Sequence, residues 1–343
     1  MTTDKDLKIS VVIPTFNMGK TIEETIRSIL CQTYQNFEII VQDNCSSDNT
    51  REIIKKISKK SIRFFKNKKN IGYAKNLIEG VKNTGGDIVF LLGADDVLSK
   101  NALLRTNEAF KISHDIGAVT RPYYWFQEKV DSPIRITPTI NRGRNEVVYI
   151  KDIDKAVYVL HNEILGQLSG LAFRKEYLKM NFFTVENDWI AHGYPFVNIF
   201  KKHPVVFIKD FQVAIRIGGN TIRQKGSELY RISPTRRWLE MLDELLSERK
   251  FSSLKSYYLK NIIGTNFVGL VQIRCYSSLR HLFREIYYLL KLNWLNILNV
   301  KFWFYSVGCI LIPPSVLALI VDYYKNRINS RIIRGLNFEY CLA

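Results

Sequence analysis

The first third of the chain alternates short apolar runs with amphipathic segments, and this alternation limits it to few folds. Short apolar runs bounded by Pro, Gly, Asn or Asp are typical of buried strands, and the segments between them have helical periodicity. The predicted strands are Ile9–Ile13, Glu38–Gln42, Ser61–Phe65 and Ile88–Leu92, and the predicted helices end near Leu30 or span Arg51–Ser58 and Gly72–Asn83. Strands that alternate with helices pair in parallel, with right-handed crossovers. The sequence therefore predicts an α/β fold with a mostly parallel central sheet flanked by helices.

Two adjacent carboxylates, Asp95 and Asp96, follow the predicted strand Ile88–Leu92, and Gly93 allows the chain to turn where that strand ends. Ligands of open α/β sheets bind in the crevice outside the carboxyl ends of the strands. A carboxylate pair there suits a hard divalent cation that is shared with substrate phosphates. The alternative is that both residues only cap a helix that begins near Ser99.

Four blocks of residues carry a resemblance to a known family: Val12–Asn17, Ile40–Thr50, Asn70–Asn76 and Leu91–Asp96. In this order and spacing they resemble the signature blocks of the family 2 glycosyltransferases. The resemblance covers about the first 110 residues well, the stretch to about residue 220 loosely, and the rest hardly at all. It implies a GT-A nucleotide-diphospho-sugar transferase fold, a nucleotide-sugar donor, Mn²⁺ or Mg²⁺ as cofactor, and inversion at the anomeric carbon.

Donor-binding residues are expected where the first two strands end and where the third helix begins. Asp43 is placed to pair with the edge of a nucleotide base, and Thr15 and Asn17 are expected on the opposite wall. Lys75 and Asn76 are expected to face phosphates near a helix N-terminus, which favours anions. The full set of predicted donor-binding residues is Pro14, Thr15, Asn17, Asp43, Asn70, Lys75, Asn76 and Asp95.

The metal ligands are predicted to be Asp95 and Asp96, because a metal held there would neutralise the leaving diphosphate. The sequence departs from the family pattern beside this pair. Members of the family more often have an acidic residue at the position of Gly93, so the metal affinity and the ligand count depend on this substitution.

An inverting transfer also needs a general base that takes the proton of the acceptor hydroxyl. Family members supply an acidic residue from the later half of the catalytic domain, often just before a helix. The best match is the segment Glu186–His192, in which Asp188 is the predicted base and Glu186 and His192 are the alternatives. An Asp before a helix is also a common N-cap, so a purely structural role stays open.

Several other chemistries are disfavoured by the same sequence. Met18–Thr21 ends like a phosphate-binding P-loop, but the first glycine of that motif would fall at Pro14. No Gly-x-Gly-x-x-Gly follows the first strand, which argues against a dinucleotide oxidoreductase. The five cysteines and five histidines are scattered without metal spacing, which suits a reduced cytosolic chain without a zinc site.

The sequence pattern becomes helical near residue 233, and a domain boundary is predicted there. Residues 1–232 form the catalytic domain, with a nucleotide-sugar half over about 1–110 and an acceptor half over about 111–232, and residues 233–343 form a helical region. Residues 249–343 contain thirteen Lys and Arg residues and three Asp and Glu residues. This stretch therefore carries a net charge of +10 out of the +18 of the whole chain. Nothing in this basic, aromatic-rich stretch matches a recognised nucleic-acid module. It fits an anionic membrane surface better, because the segment that follows it is strongly apolar.

Residues Phe302–Val321 form an uncharged apolar stretch that Pro313-Pro314 divides into two pieces. The prediction is a membrane-inserted hairpin or two interfacial helices, with Trp303 and Tyr323 near the headgroups. The alternative is that both helices pack against the soluble domain or in a homo-oligomer interface.

The expected function is an inverting, metal-dependent glycosyltransferase that moves a sugar from a UDP-sugar to a hydroxyl of a lipid-linked glycan. The expected setting is surface polysaccharide biosynthesis of the O-antigen or capsule type, on the inner face of the cell membrane, as a cytoplasmic peripheral or monotopic protein. The polar segment Met1–Lys8 leads directly into the first strand, so no signal peptide is predicted. The alternatives are a non-catalytic nucleotide-sugar-binding or assembly protein and a sugar nucleotidyltransferase.

Overall fold

The computed structural model describes residues 6–57, 61–141, 143–185, 190–217, 233–324, 336 and 338–341. The chain divides into two compact units, of which the first is Met1–Arg216 with Gly335–Ala343 and the second is Ile217–Arg334. Residues 335–343 are predicted from the sequence to belong to the helical region. The structure groups them with the first unit, because the aromatic rings of Phe338 and Tyr340 pack there in a cluster with Tyr124.

Most strands of the first unit belong to one eight-stranded sheet. They are β1 (Ile9–Thr15), β2 (Phe37–Asp43), β3 (Ile62–Lys66), β4 (Ile88–Leu91), β6 (Ala118–Thr120), β9 (Glu146–Val148), β10 (Ala172–Arg174) and β11 (Val205–Phe207), in the order β3-β2-β1-β4-β10-β6-β11-β9. β1 to β4 pair in parallel, but β10 runs antiparallel to both β4 and β6. The sheet is therefore mixed, with β9 and β10 antiparallel to the other six strands, which all run in the same direction. The later strands are too short for their sequence pattern to reveal a direction.

Helices of the first unit are α1 (Ile22–Leu30), α2 (Thr50–Ile57), α3 (Tyr73–Lys82), α4 (Ala102–Lys111), α5 (Ile153–Val159), α6 (Asn162–Leu165) and α7 (Gly193–Phe200). β1, β2 and β4 consist almost entirely of buried residues, as expected for parallel strands that are covered on both faces. The four strands predicted from the sequence are all present, within two residues of their predicted ends. Their carboxyl ends lie together on one edge of the sheet.

A second, four-stranded sheet supports the loop that carries Asp95 and Asp96. It contains β5 (Val97–Leu98), β12 (Val213–Arg216), β7 (Tyr124–Phe126) and β8 (Arg135–Ile136), in the order β5-β12-β7-β8. Its buried cluster is formed by Val97, Tyr124, Phe126, Val130 and Ala214, with Leu336, Phe338 and Tyr340 packed against it. β5 begins immediately after Asp96, and β12 ends at Arg216, so the two strands bring these residues together.

A buried arginine holds the turn that precedes β10. Arg121 is 1% exposed, and its guanidinium donates to the carbonyl of Gly170 at 3.1 Å and to the side chain of Gln212 at 3.0 Å. It also lies over the ring of Phe90, 5.0 Å from the ring centre, and burial lowers its pKa to about 9. Gly170 has φ of +93°, which favours glycine. Arg121 therefore fixes the backbone beside Ser169.

The second unit is helical. Its helices are Pro234–Leu245, Ser252–Asn261, Val268–Tyr276, Leu279–Leu292, Val300–Leu311 and Pro314–Tyr323. The predicted interruption at Pro313-Pro314 is confirmed, because one helix ends at Leu311 and the next begins at Pro314. The core of this unit is formed by Phe267, Leu270, Ile273, Leu282, Leu289, Phe302, Cys309 and Leu317. Over the described part of the chain, no helix is both long enough and apolar enough to cross a membrane.

Candidate functional site

The carboxylate of Asp96 lies at the centre of a hydrogen-bonded cluster at the end of β4. Asp96 is 5% exposed, its Oδ1 accepts a hydrogen bond from the backbone N–H of Arg216 at 2.9 Å, and its Oδ2 accepts one from the Ser169 hydroxyl. Burial, and then the charge of Asp95, raises the pKa of Asp96 to about 8. Burial also raises the pKa of Asp95, which is partly exposed. Two carboxyl groups are therefore held side by side where water solvates them poorly.

Gly93 leaves room for this cluster. A Cβ atom at position 93 would lie 2.6 Å from Oδ2 of Asp96, 3.2 Å from Oδ1 of Asp95 and 3.2 Å from Oγ of Ser169. The three oxygens thus converge on the space that a side chain at position 93 would fill. The backbone N–H of Gly93 donates to Oγ of Ser169 at 2.7 Å, which completes the cluster.

The oxygens around Gly93 fit a divalent cation. Mg²⁺ and Mn²⁺ prefer oxygen ligands and commonly take one or two carboxylates, with water and substrate phosphates filling the other positions. Asp95 and Asp96 supply the carboxylates, and a cation beside them would favour their ionised forms against the effect of burial. Among the described residues, no group of three or more His, Cys, Asp and Glu side chains could hold a metal. A metal here would therefore rely on two protein carboxylates and on the substrate.

Arg216 ties the Asp95–Asp96 loop to two other elements. Its Nε donates to the carbonyl oxygen of Asp95 at 3.1 Å, and its guanidinium forms an ion pair with Glu24 of α1. The guanidinium also lies over the ring of Phe126, 4.4 Å from the ring centre. Thr21, the residue before α1, also holds this loop, because its hydroxyl donates to the carbonyl of Ala94 at 3.0 Å.

Asp43 lies at the end of β2, directly beside Thr15 of β1 in the strand register. Its carboxylate is fully buried and accepts hydrogen bonds from the backbone N–H of Ser46, at 3.2 Å to each oxygen, and from the Ser46 hydroxyl. Lys66 places Nζ 3.8 Å from the same carboxylate. In this structure Asp43 therefore shapes its own loop, and a nucleotide base would have to compete with Ser46 for its oxygens.

Asn17 braces the same loop from the end of β1. Its Oδ1 accepts from the backbone N–H of Ser47 at 2.9 Å, and its own N–H donates to Oγ of Ser46 at 2.8 Å. Asn17 has φ of +53° and Cys45 has φ of +68°, so two residues other than glycine adopt left-handed conformations here. Such strain persists where the surrounding contacts enforce it, and it clusters at ligand sites. Pro14 lies in β1, two residues beyond Val12, which is the last residue of β1 that pairs with β4.

The other predicted donor residues belong to a network of amides at the start of α3. Oδ1 of Asn70 accepts from the Asn44 side chain at 2.8 Å. Asn76 is buried, with Oδ1 accepting from Asn67 at 2.8 Å and Nδ2 donating to the carbonyl of Gln42 at 2.9 Å. The Asn76 amide therefore joins α3 to the sheet, and a phosphate would have to displace these bonds to reach it.

Lys75 is exposed and lines a surface groove of about 490 Å³. The groove is strongly basic, and its lining residues are Asn67, Lys68, Lys69, Ile71, Lys75, Ile78, Glu79 and Lys82. An exposed lysine on a flexible stem can reach a phosphate, but its ammonium is not held in one direction.

The three candidates for the general base differ in what the structure describes. Glu186 and Asp188 lie outside the described residues. His192 is 3% exposed, its Nε2 lies 2.9 Å from the carbonyl of Leu165 and its Nδ1 lies 2.9 Å from the Tyr73 hydroxyl. A carbonyl can only accept, so Nε2 carries the proton and Nδ1 accepts from Tyr73. Burial lowers the pKa of His192 to about 4. With both nitrogens engaged, His192 is poorly suited to act as a base.

Two residues of this site do not stand out in the sequence. The dipeptide Ser169-Gly170 resembles an ordinary turn, although its place before a strand puts a hydroxyl at the sheet edge. Arg216 resembles one more basic residue in a stretch of sequence that also contains Arg223 and Lys225. No local pattern reveals that β12 pairs with β5 and so carries Arg216 to Asp96.

Comparison of the whole chain with solved structures identifies the same fold in other proteins. The structure of Staphylococcus aureus TarS residues 1–349 in complex with UDP-GlcNAc is 17% identical, with a TM-score of 0.62, and the match covers 94% of this chain and 89% of that chain. The mannosyltransferase PcManGT from Pyrobaculum calidifontis, in complex with GDP-Man and Mn²⁺, is 16% identical, with a TM-score of 0.55, over 95% and 88% of the two chains. These likenesses establish an α/β fold of the GT-A type.

Sequence comparison identifies relatives of higher identity over a shorter stretch. The poly-beta-1,6-N-acetyl-D-glucosamine synthase of Staphylococcus aureus strain COL is 35% identical over 113 residues, and that of Staphylococcus epidermidis is 36% identical over 113 residues. The match spans 33% of this chain but only 27% of these relatives. Residues 10–178 match the model of the family described as glycosyl transferase family 2. The matched residues contain Asp43 and the Asp95–Asp96 pair, so this part of the chain is a domain of the glycosyl transferase family 2.

Proposed function

We propose that this chain transfers a sugar, with inversion, from a nucleoside-diphosphate sugar to a hydroxyl of a lipid-linked glycan during surface polysaccharide biosynthesis. A UDP-sugar is the first candidate for the donor. The observation that carries the proposal is the pair formed by the buried Asp96 and its neighbour Asp95, at the carboxyl edge of the sheet beside the ends of β1 and β2. Relatives with the same fold bind UDP-GlcNAc or GDP-Man, which supports a nucleotide-sugar donor.

Asp95 and Asp96 would hold Mn²⁺ or Mg²⁺, which would supply positive charge to the diphosphate leaving group. The protein's own residues set the geometry. Ser169 and the Arg216 N–H orient the Asp96 carboxylate, and Gly93 keeps the space in front of it open. The Asp43 loop and Asn17 form the wall that receives the nucleoside.

Asp188 remains the proposed general base, with Glu186 as the alternative. A base in this position takes the acceptor proton as the hydroxyl attacks, which contributes about 10² to 10⁴ in rate. Replacing Asp188 by Asn should therefore lower the transfer rate by that factor and leave donor affinity unchanged. If Glu186→Gln is the inactive variant and Asp188→Asn is active, the assignment is wrong.

The proposed site of action is the cytoplasmic face of an anionic membrane. The helices Val300–Leu311 and Pro314–Tyr323 expose large apolar side chains, including Phe304 and Leu311 at 74% each. Lys301 is the second residue of the first helix, and the sequence around the two helices is rich in Lys and Arg. Exposed apolar surface of this extent marks an interaction site, and basic residues favour anionic lipid headgroups. A homo-oligomer interface is the alternative use of the same surface.

A transfer assay tests the proposal directly. Purified full-length protein is incubated with UDP-GlcNAc, UDP-Glc, UDP-Gal or GDP-Man, with Mn²⁺ or EDTA, and with membranes that contain lipid-linked glycans. Release of nucleoside diphosphate that depends on both the metal and the acceptor supports a transferase. Binding of the donor without release under every condition would instead indicate a non-catalytic nucleotide-sugar-binding protein.

A further inference from the structure

The end of the chain returns to the first unit and brings two cysteine sulfurs together. We use the name C-terminal segment for residues 336 and 338–341. The Sγ atom of Cys341 lies 2.7 Å from the Sγ atom of Cys31, although 310 residues separate them in sequence. Both are reduced thiols, of which Cys31 is partly exposed and Cys341 is exposed. A small reagent in solution can therefore reach the pair.

The backbone of Lys100 holds both cysteines in place. Its N–H donates to the carbonyl of Glu339 at 2.8 Å, and its carbonyl accepts from the N–H of Thr33 at 2.9 Å. Glu339 lies two residues before Cys341, and Thr33 lies two residues after Cys31. The Lys100 ammonium adds an ion pair with Glu339, at 2.5 Å. The contact between the sulfurs is therefore a consequence of main-chain pairing on both sides.

Aromatic packing fixes the remainder of the C-terminal segment. Phe338 packs edge-on against Tyr124, with ring centres 5.0 Å apart, and Tyr340 packs beside Phe338. Tyr124 lies on β7, next to β12, which ends at Arg216. The C-terminal segment therefore covers the sheet that supports the Asp95–Asp96 loop.

We propose that Cys31 and Cys341 form a disulfide by exchange with a low-molecular-weight disulfide, and that this bond fastens the C-terminal segment to the first unit. The thiolate of Cys341, the more exposed of the two, attacks one sulfur of the small disulfide RSSR and releases one thiolate RS⁻. The Cys31 thiolate then attacks the Cys341 sulfur of the mixed disulfide and releases the second RS⁻. The protein dithiol loses two electrons and two protons, and RSSR is reduced to two RSH.

The bond has a measurable consequence for stability. It would close a loop of almost the whole chain, and such a cross-link restricts the unfolded state. The oxidised protein should therefore have a higher midpoint of thermal unfolding than the reduced protein. The inference does not depend on the proposed glycosyl transfer, because it rests on contacts within the first unit alone.

Oxidised glutathione provides the test. Native full-length protein is incubated with it, excess reagent is removed, and titratable thiols and non-reduced proteolytic peptides are measured. We expect the number of thiols that titrate after denaturation to fall from five to three and a peptide containing Cys31 joined to Cys341 to appear. Cys45→Ser is the matched control and should form the same cross-link. Cys31→Ser should stop at the glutathione adduct of Cys341, because the second thiol is missing.

Three results would overturn the proposal. The first is a glutathione adduct on Cys341 in the native parent protein without a cross-link. The second is a cross-link between Cys341 and a cysteine other than Cys31. The third is a Cys31–Cys341 cross-link that forms in urea but not in the native protein. Because the parent protein provides all three readouts, the test does not depend on the folding of a variant.

Discussion

The backbone N–H of Arg216 donates a 2.9 Å hydrogen bond to Oδ1 of Asp96, across 120 residues of sequence. This contact joins the end of β12 to the aspartate loop after β4. The Arg216 side chain reinforces it through the Asp95 carbonyl and Glu24. The orientation of the proposed metal ligands therefore depends on a residue that lies outside the matched stretch of the family model, which ends at residue 178.

Arg216→Ala keeps the backbone bond to Asp96 but removes the ion pair with Glu24 and the bond to the Asp95 carbonyl. Bonds to charged groups contribute about 1.5–3 kcal/mol, so we expect kcat/KM for the donor to fall about 10- to 100-fold. Steady-state kinetics at saturating and limiting Mn²⁺ measure this effect. Arg105→Ala is the matched control, because Arg105 is an exposed arginine of α4 paired with Glu108, and it should leave kcat/KM unchanged. Equal kcat/KM in both variants would show that the Arg216 side chain does not position the loop.

Asp95→Asn should abolish metal-dependent transfer, a loss of about 100-fold or more, because a neutral amide is a poor ligand for a hard cation. Circular dichroism should remain that of the parent protein. Asp43→Ala should chiefly weaken nucleotide affinity. Asp154→Asn, which changes an exposed carboxylate in the first turn of α5, is the control. Full activity of Asp95→Asn at limiting metal would contradict the metal assignment.

Asp96→Asn should raise the thermal stability of the metal-free protein at neutral pH. The pKa of Asp96 is raised to about 8 in the folded state, against about 3.8 for an ordinary aspartate. The folded protein therefore holds a proton that the unfolded chain releases, and stability falls as the pH rises between these two values. Asparagine is neutral throughout and removes this loss. Unfolding midpoints in EDTA at pH 5 and about pH 7.5 should show a larger gain for the variant at the higher pH.

The exposed apolar helices should attach the protein to anionic membranes. Phe304→Glu combined with Leu311→Glu introduces two charges where apolar side chains are 74% exposed. Vesicle flotation with phosphatidylglycerol should recover the parent protein but little of this variant. Binding of the parent protein should persist at high salt, because apolar insertion is not screened by ions. Ile112→Glu, at an exposed apolar position just after α4, is the control. A parent protein that stays unbound at low salt would indicate that the surface meets protein instead.

The sequence predicts well the part of the site that β1 to β4 carry and predicts poorly the part that later elements carry, for a physical reason. Buried parallel strands with polar ends produce strong local patterns, so β1 to β4 and the positions of Asp43, Asp95 and Asp96 follow from the sequence. Arg216, Ser169 and the C-terminal segment reach their places through pairing between distant, short elements. Their positions are set by packing, which no local pattern records. For the same reason the direction of β10 and the buried state of Asn76 cannot be predicted from the sequence.

Thermal shift of the parent protein and of Asp95→Asn, each with a UDP-sugar in Mn²⁺ or in EDTA, tests the central claim most directly. A UDP-sugar at 100 times its dissociation constant should stabilise the parent protein by about 2.7 kcal/mol in Mn²⁺. The shift should be much smaller in EDTA and in Asp95→Asn. Equal shifts in the parent protein and the variant, or no shift with any nucleotide-sugar, would contradict a metal-dependent donor site at Asp95 and Asp96.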